Sequence, residues 1–386
     1  MTQQVLAQKD VNTSNKKQEK RGSQLNDLPN FRDSLLLEAT PDTTANISSG
    51  DLDGDGHLDI ILVKGRHWPM IDRVLLGDGV GGIKKAHNLG SVADRSYTGG
   101  LADFNGDGFP DIAVSNDAPD KKLVYFNDGK GNFSIGSEFG HPEWPTRNLS
   151  IADINNDGLP DIILANRGDV GKTSNYICLN GGKGMFTAHC IPVASYPATT
   201  IVPADINKDG FIDLVVPHRD GGQSYVYLGS ASFTFSDDRR IPFGPPDATI
   251  RVAAVADCNA DNIPDIVTID ENKGVALYFG QKDQTFSAGI SLADAKTVPY
   301  ALAIADLNND KKPDIIVGHV EAPSTIFFND GTGSHFTSIT FGDSKGTAYG
   351  FAIGDFNEDG RLDIATARSG ATSVLYFGNT KSKKSK

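Results

Sequence analysis

Three cysteines, three methionines and two tryptophans are all that 386 residues contain of these types. A disulfide-dense scaffold is excluded, and packing must hold the fold together. No apolar run approaches the roughly 18 residues that cross a bilayer as a helix. The N-terminal MTQQVLAQKDVNTSNKKQEK lacks the apolar segment, about 7–15 residues long, that a secretory signal requires. Helical periodicity is missing as well, and neither an HExxH helix nor a nucleophile elbow on a strand-to-helix turn is expected. Cys178 and Cys190 lie on two apolar runs, YICLN and FTAHC, joined by a Gly-rich turn. A cross-strand bridge and two buried thiols are both compatible with that arrangement.

What the chain does have is acid, with 49 Asp and Glu against 36 Lys and Arg for a net charge of −13. These acids are not spread evenly. DLDGDGHLD begins at Asp51, DFNGDGFPD at Asp103, DINNDGLPD at Asp153, DINKDGFID at Asp205, DCNADNIPD at Asp257, DLNNDKKPD at Asp306 and DFNEDGRLD at Asp355. The spacings of 52, 50, 52, 52, 49 and 49 residues mark a repeat of propeller size. Twenty-two of the 49 acids sit at positions 1, 3, 5 and 9 of these loops, leaving 27 acids against 36 bases elsewhere. The acidity therefore reads as cation-binding capacity rather than as a uniformly anionic surface.

Each unit carries four apolar runs of strand length, as in LAD before the second loop and DIAVSN, KLVYFND and NFSIGSEF after it. Val, Ile, Tyr and Phe fill these runs, and Gly, Asn and Asp punctuate them. Four antiparallel strands make one blade. The sequence thus predicts an all-β, seven-bladed β-propeller of four-stranded antiparallel blades over residues 29–379. The seventh unit stops after VLYFGN without a fourth strand, whereas PNFRDSLLLEA at 29–39 precedes the first loop. That segment is predicted to pair with the strand around Val374–Phe377 and complete the last blade, which hides both open edges. Residues 1–28 and 380–386 are polar and Lys-rich and are expected to be disordered tails.

In every loop positions 1, 5 and 9 are Asp and position 3 is Asn or Asp. Hard oxygens from positions 1, 3 and 5, the carbonyl of position 7 and the carboxylate of position 9 suit calcium, which takes roughly six to eight oxygen ligands. The expected ligand sets are Asp51, Asp53, Asp55, the His57 carbonyl and Asp59; Asp103, Asn105, Asp107, Phe109 and Asp111; Asp153, Asn155, Asp157, Leu159 and Asp161; and Asp205, Asn207, Asp209, Phe211 and Asp213. The last three are Asp257, Asn259, Asp261, Ile263 and Asp265; Asp306, Asn308, Asp310, Lys312 and Asp314; and Asp355, Asn357, Asp359, Arg361 and Asp363. Up to seven structural Ca2+ ions follow. Metal-free Asx turns are the alternative, but three or four carboxylates in one turn repel unless a cation is present. Position 6 needs a sharp turn, which Gly supplies in five loops and Asn262 tolerates. Lys311 brings a positive charge there, so the Asp306 loop is expected to bind most weakly.

With their DxNxDGxPD loops, following strands and NDGxGxF turns, the units resemble FG-GAP/VCBS repeats over residues 29 to 379. The resemblance implies a calcium-loop propeller of the kind found in integrin α-chain heads, fungal lectins and propeller-type polysaccharide lyases. An extracellular or periplasmic, secreted, carbohydrate-binding protein is the expectation. In such propellers the acidic loops project from one face, so the other face carries the remaining connections.

Those connections hold Arg66, His67, Trp68, Arg95, Trp144, Arg147, Arg167, His218, Arg219, Arg251 and Arg368 as candidate ligand-binding residues. Arg forks recognise carboxylates and aromatic rings stack on sugar faces, so the expected partner is a glycan, acidic for preference, or another extracellular ligand such as a protein. The competing expectation is a lyase acting on an acidic or keto sugar. His67, His141, His218, His319, Tyr97, Tyr300 and Tyr349 would then be the candidates for moving the proton. HW, HPEWPTR and PHRDGG each occur once, which favours one asymmetric site over seven equivalent ones. Basic residues alternate with acids such as Asp220 and Glu271, so no nucleic-acid stripe is expected. The chain is expected to be a monomer without a membrane span.

Overall fold

A computed structural model describes residues 28–169, 173–186, 190–194 and 196–379. The two expected tails fall outside the described residues, save Leu28. In chain order the strands are β1 (Ser34–Leu36), then β2 to β5 (Asp42–Gly50, Asp59–Lys64, Arg73–Gly77, Ile83–Asn88) and β6 to β9 (Ser96–Ala102, Asp111–Asn116, Lys122–Asn127, Phe133–Phe139). Next come β10 to β13 (Thr146–Ala152, Asp161–Asn166, Asn175–Cys178, Ile191–Val193) and β14 to β17 (Val202–Ala204, Asp213–Val216, Ser224–Tyr227, Arg240–Phe243). The chain ends with β18 to β21 (Ile250–Ala256, Asp265–Asp270, Gly274–Tyr278, Ile290–Ala293), β22 to β25 (Pro299–Ala305, Asp314–His319, Ser324–Asn329, Phe336–Phe341) and β26 to β28 (Thr347–Gly354, Asp363–Ala371, Val374–Tyr376). One 3-10 turn at Asp237–Arg239 is the helical content of the described residues.

Five groups of four consecutive strands, from β6 to β25, form separate antiparallel sheets. The other eight strands form one sheet, in which β26–β27–β28–β1 joins β2–β3–β4–β5 through a short β27–β2 contact at Thr43↔Ser369 and Asp42↔Ala371. The first strands touch in a closed circle, β2 to β6, β10, β14, β18, β22, β26 and back to β2. The sheets therefore stand around a common axis. The second strands DIILVK, DIAVSN, DIILAN, DIVTID and DIIVGH are buried at every residue. Continuous rather than alternating burial follows from sheets packed on both faces. Ile61 and Val63 of one sheet share a cluster with Ile112, Val114 and Leu123 of the next. Cross-links reinforce it, as the Asn127, Asn180 and Asn329 amides donate to the carbonyls of Leu52, Phe104 and Cys258 in the preceding sheet (2.9, 2.9 and 2.7 Å).

The N-terminal segment pairs where the sequence places it, with Ser34↔Tyr376, Leu35↔Leu375 and Leu36↔Val374 in antiparallel register. Only three residues are strand, but Phe31 is 3% exposed and packs on Phe341 at 5.6 Å between ring centroids. Cys178 and Cys190 form a disulfide. Phe186 makes an isolated bridge to Asn180, and the fourth strand of this sheet, β13, begins after Cys190.

Two histidines expected on the ligand face belong instead to the interior. His218 and His319 are each 4% exposed, because His319 ends a buried second strand and His218 lies two residues beyond another. His218 packs beside Tyr196 and Tyr225, and its backbone N–H donates to Ser224 Oγ at 3.0 Å. Burial pushes its imidazole down to about 4, and the nearby Arg240 acts in the same direction.

Phe31→Ala is expected to cost about 3 kcal/mol in denaturant unfolding, while Leu36→Ala, at a position 62% exposed, should change stability by less than about 0.5 kcal/mol. Equal effects at the two would mean that the N-terminal segment does not seal the last sheet. For His218 the sign is fixed by linkage. The unfolded chain binds a proton near pH 6.5 and the folded chain only near 4, so stability is full above about 6.5 and falls as pH drops toward 4, by on the order of 3 kcal/mol. Urea midpoints measured across this range should lose much of that slope in His218→Phe.

Candidate functional site

The inner end of six of the seven first strands carries a register irregularity; β14 is the exception. The pairing skips Ala45 in β2, Tyr97 in β6, Arg147 in β10, Arg251 in β18, Tyr300 in β22 and Tyr349 in β26. A bulge leaves one residue unpaired and re-aims its side chain. All six skipped residues line a single cavity of about 180 Å³, and so does Thr199, which stands at the matching place before the fourth loop. Every one of the seven lies six residues before the first Asp of its loop. The cavity is completed from the ends of the second strands by Arg66, His67, Arg167 and Arg219, and by Asn46, Asn148 and Thr200 beside the bulges.

Five guanidiniums converge here, and they are crowded tolerably because carboxylates and rings lie between them. Arg147 is paired with Asp117, and Arg167 meets Asp220 through Nε (3.2 Å) and a terminal nitrogen (2.9 Å). Glu271 serves two partners, Arg219 and Arg251, each at 2.9 Å. Arg66 has no carboxylate partner among the described residues. Its guanidinium lies 4.2 Å from the Tyr349 ring centroid and 5.8 Å from that of Tyr97, and donates to the Tyr349 hydroxyl. Its Nε is buried without a hydrogen-bond partner. Arg147 stands over the Tyr97 ring at 4.7 Å, and Arg251 over the Tyr300 ring at 3.4 Å. Five positive charges against these three carboxylates leave a surplus of two.

The surplus acts on the titratable groups. Burial lowers the His67 imidazole, and Arg66 and Arg147 lower it further; its neighbour is the Tyr97 hydroxyl (3.2 Å). Burial opposes ionisation of Tyr300, yet Arg251, the hydrogen bond from Tyr349 (3.2 Å) and Arg66 together bring that phenol below its usual range. Tyr349 moves up, from burial and from the charge that Tyr300 would carry. Burial would likewise raise Glu271, but Arg219 and Arg251 hold it below the usual carboxylate range.

Of the residues singled out from the sequence, Arg66, His67, Tyr97, Arg147, Arg167, Arg219, Arg251, Tyr300 and Tyr349 share this cavity. The others do not line it. Trp68 is 63% exposed and touches it only through an edge contact with His67 (6.0 Å). Trp144 is stacked on Tyr176 at 3.8 Å against the core, with His141 beside it. Arg95 binds Asp120 (3.0 Å), and buried Arg368 binds Asp343 (2.6 Å) in a separate groove beside Phe31 and Tyr376. Ala45, Thr199 and Thr200 were not anticipated, although the fixed six-residue offset picks out the first two. GDSKG at 342–346 fits GxSxG in letters, but it joins β25 to β26 with no helix after it.

On the acidic loops, the position-9 aspartates are fully buried and each accepts at least two backbone N–H groups. Asp59 takes Leu52 and Gly77 (both 2.7 Å), and Asp314 takes Leu307 (2.9 Å) and Asn329 (3.0 Å). In six loops position 1 accepts from positions 5 and 6, as Asp153 does from Asp157 (3.0 Å) and Gly158 (2.8 Å), and in the first loop Asp51 accepts from Gly54 and Gly56. These Asx bonds shape the turns. A cation fits the first loop in particular: oxygens of Asp51, Asp53 and Asp59 lie within 4.8 Å of one another, and Asp53 Oδ1 is buried without a hydrogen-bond partner. Lys84 reaches Asp53 at 2.9 Å and also contacts Asp55. In the sixth loop Lys311 adopts φ 66°, but the ammonium that pairs with an acid is that of Lys312, 3.3 Å from Asp310.

The FG-GAP-like repeat model matches this chain in five overlapping stretches, 103–164, 153–216, 205–268, 257–317 and 306–366. No curated protein matches it. Among solved structures, BBS1N in complex with ARL6DN aligns with a TM-score of 0.63 at 12% identity, over 92% of this chain and 98% of that one. The BP39L lectin from Burkholderia pseudomallei gives 0.67 at 11% identity, over 88% and 98%. An Agrocybe aegerita lectin that recognises non-reducing terminal N-acetylglucosamine gives 0.53 at 20%, over 86% and 87%. At these identities the likeness is one of fold. With its repeats matched from 103 to 366 and its sheets circling one axis, the chain belongs to the FG-GAP-like repeat family of β-propellers.

Proposed function

We propose that this chain is a seven-bladed, calcium-stabilised propeller that binds an acidic saccharide in its axial cavity, in an extracellular or periplasmic setting. The eight-stranded sheet is counted as two blades joined at the narrow β27–β2 contact, which agrees with the seven acidic loops. Calcium is supported by the all-oxygen loops and the orphaned Asp53 oxygen, and the setting by the Cys178–Cys190 disulfide. The observation that carries the ligand class is Arg66, a cavity guanidinium without a carboxylate partner among the described residues, in a wall that holds five guanidiniums. A ligand carboxylate would supply the missing partner, and the Tyr97 and Tyr349 rings would flank a sugar.

A second reading, elimination from an acidic sugar, is favoured by Tyr300 alone. Arg251 and Tyr349 stabilise its phenolate, which could take the proton beside the sugar carboxylate as the bond to the leaving oxygen on the next carbon breaks. Loss of an ultraviolet-absorbing unsaturated product in Tyr300→Phe, with binding retained, would support turnover.

Two measurements test the main reading. Titration calorimetry with galacturonate oligomers and with neutral oligosaccharides of the same length should find binding to the acidic series only, and Arg66→Ala should weaken it by at least about tenfold. Equal binding of both series would overturn it. Excess EDTA should lower the melting temperature by several degrees and added calcium should restore it, because an ion bound only by the folded loops stabilises them by mass action. An unchanged melting curve would remove calcium from the proposal.

A further inference from the structure

Resting on the acidic-saccharide reading, we infer that Thr199 and Thr200 form a hydroxyl-reading subsite across the cavity from Arg66, so that the ligand is a polyhydroxylated carboxylate held at both ends. Around the circle of first strands Thr199 lies three steps from Ala45 in one direction and four in the other. Arg66 fills the gap above Ala45, between Tyr97 and Tyr349. The two ends of the cavity are therefore opposed.

Thr199 is 6% exposed, and the side-chain oxygens of both threonines are buried without a hydrogen-bond partner. A buried hydroxyl left unpaired is unfavourable, and these two are not forced on the fold. Apolar residues occupy the matching places in other repeats, Ala45 at the one and Val252 and Ala301 at the other. The backbone under the threonines is held firmly, since Asn148 donates to the Thr199 carbonyl (2.8 Å) and Ser150 to that of Ile201 (2.5 Å). Hydroxyls both donate and accept, so a pair of them complements vicinal sugar hydroxyls, whereas a bare carboxylate or an inorganic anion leaves them unpaired. With Arg66 Nε, and setting aside Arg147, which is paired with Asp117, three polar groups of residues lining this one space have no partner among the described residues, one cationic and two hydroxylic.

The test compares D-galacturonate with cyclohexanecarboxylate, a ring acid without hydroxyls, by titration calorimetry. The wild type should prefer galacturonate by at least about tenfold, as expected of a site built to hydrogen-bond a ligand hydroxyl. Thr199→Val with Thr200→Val should erase that preference, leave the affinity for cyclohexanecarboxylate within about twofold and not lower the melting temperature. A double variant that still prefers galacturonate overturns the inference and leaves the acidic-ligand reading standing. A wild type that binds neither acid, or that keeps full affinity in Arg66→Ala, removes that reading and the inference with it.

Discussion

The buried aspartate at the ninth position of each acidic loop is the constraint on which the rest depends. It opens the second strand, and its two oxygens hold the N–H of the loop's second residue and an N–H at the end of the third strand. One side chain thereby ties three segments of a sheet together. Burial raises the carboxyl of Asp111 to about 6 and that of Asp314 to about 7, which measures how far these groups have left water. A carboxylate so placed is tolerated only because charge-assisted bonds to backbone N–H groups replace its hydration. The same clamp recurs in all seven repeats.

Fixing the sheets at the loop end leaves the other end free to vary. There the bulges release one residue from pairing in six of the first strands, and its side chain no longer has to satisfy a cross-strand neighbour. Ala, Tyr and Arg occupy that place in the six bulged strands, and Thr199 stands at the matching place ahead of the shorter, unbulged β14. A symmetric scaffold can in this way hold an asymmetric site: repetition is demanded only where the aspartate clamps and inter-sheet packing are, and the axial ring lies outside both.

Most of the fold was legible in the sequence because its determinants are local and repeated. The nine-residue loops, the apolar second strands and the missing fourth strand of the last unit are patterns of spacing, and the β1–β28 pairing follows from them. The site was legible only in part. Arg66 and Arg147 differ from Arg95 and Arg368 in nothing that composition reveals, and what separates them is whether Asp120 or Asp343 engages them away from the axis. Trp144 and His218 read as loop residues, yet stacking on Tyr176 and burial beside Tyr196 take them into the packing. Thr199 and Thr200 carry no signal of their own, and their meaning comes from place: a hydroxyl is informative only once its surroundings offer it no partner.

How five guanidiniums share one small cavity bears on what the cavity selects. Like charges at this spacing repel, and the protein offsets that by interleaving them with Asp117, Asp220 and Glu271 and with the faces of Tyr97, Tyr349 and Tyr300. An acidic side chain at position 45, in the same cavity as Arg66, would reduce the surplus from two charges to one. An alanine stands there instead. One of the two surplus charges, that of Arg66, thus stands on one side of the ring, where two tyrosine rings flank it, and the other is the one that Glu271 leaves between Arg219 and Arg251. The opposite side offers hydroxyls. A net positive cavity alone would attract any anion, but a charge at one edge and unpaired hydroxyls at the other impose an orientation, and orientation is what separates a sugar acid from a simple salt.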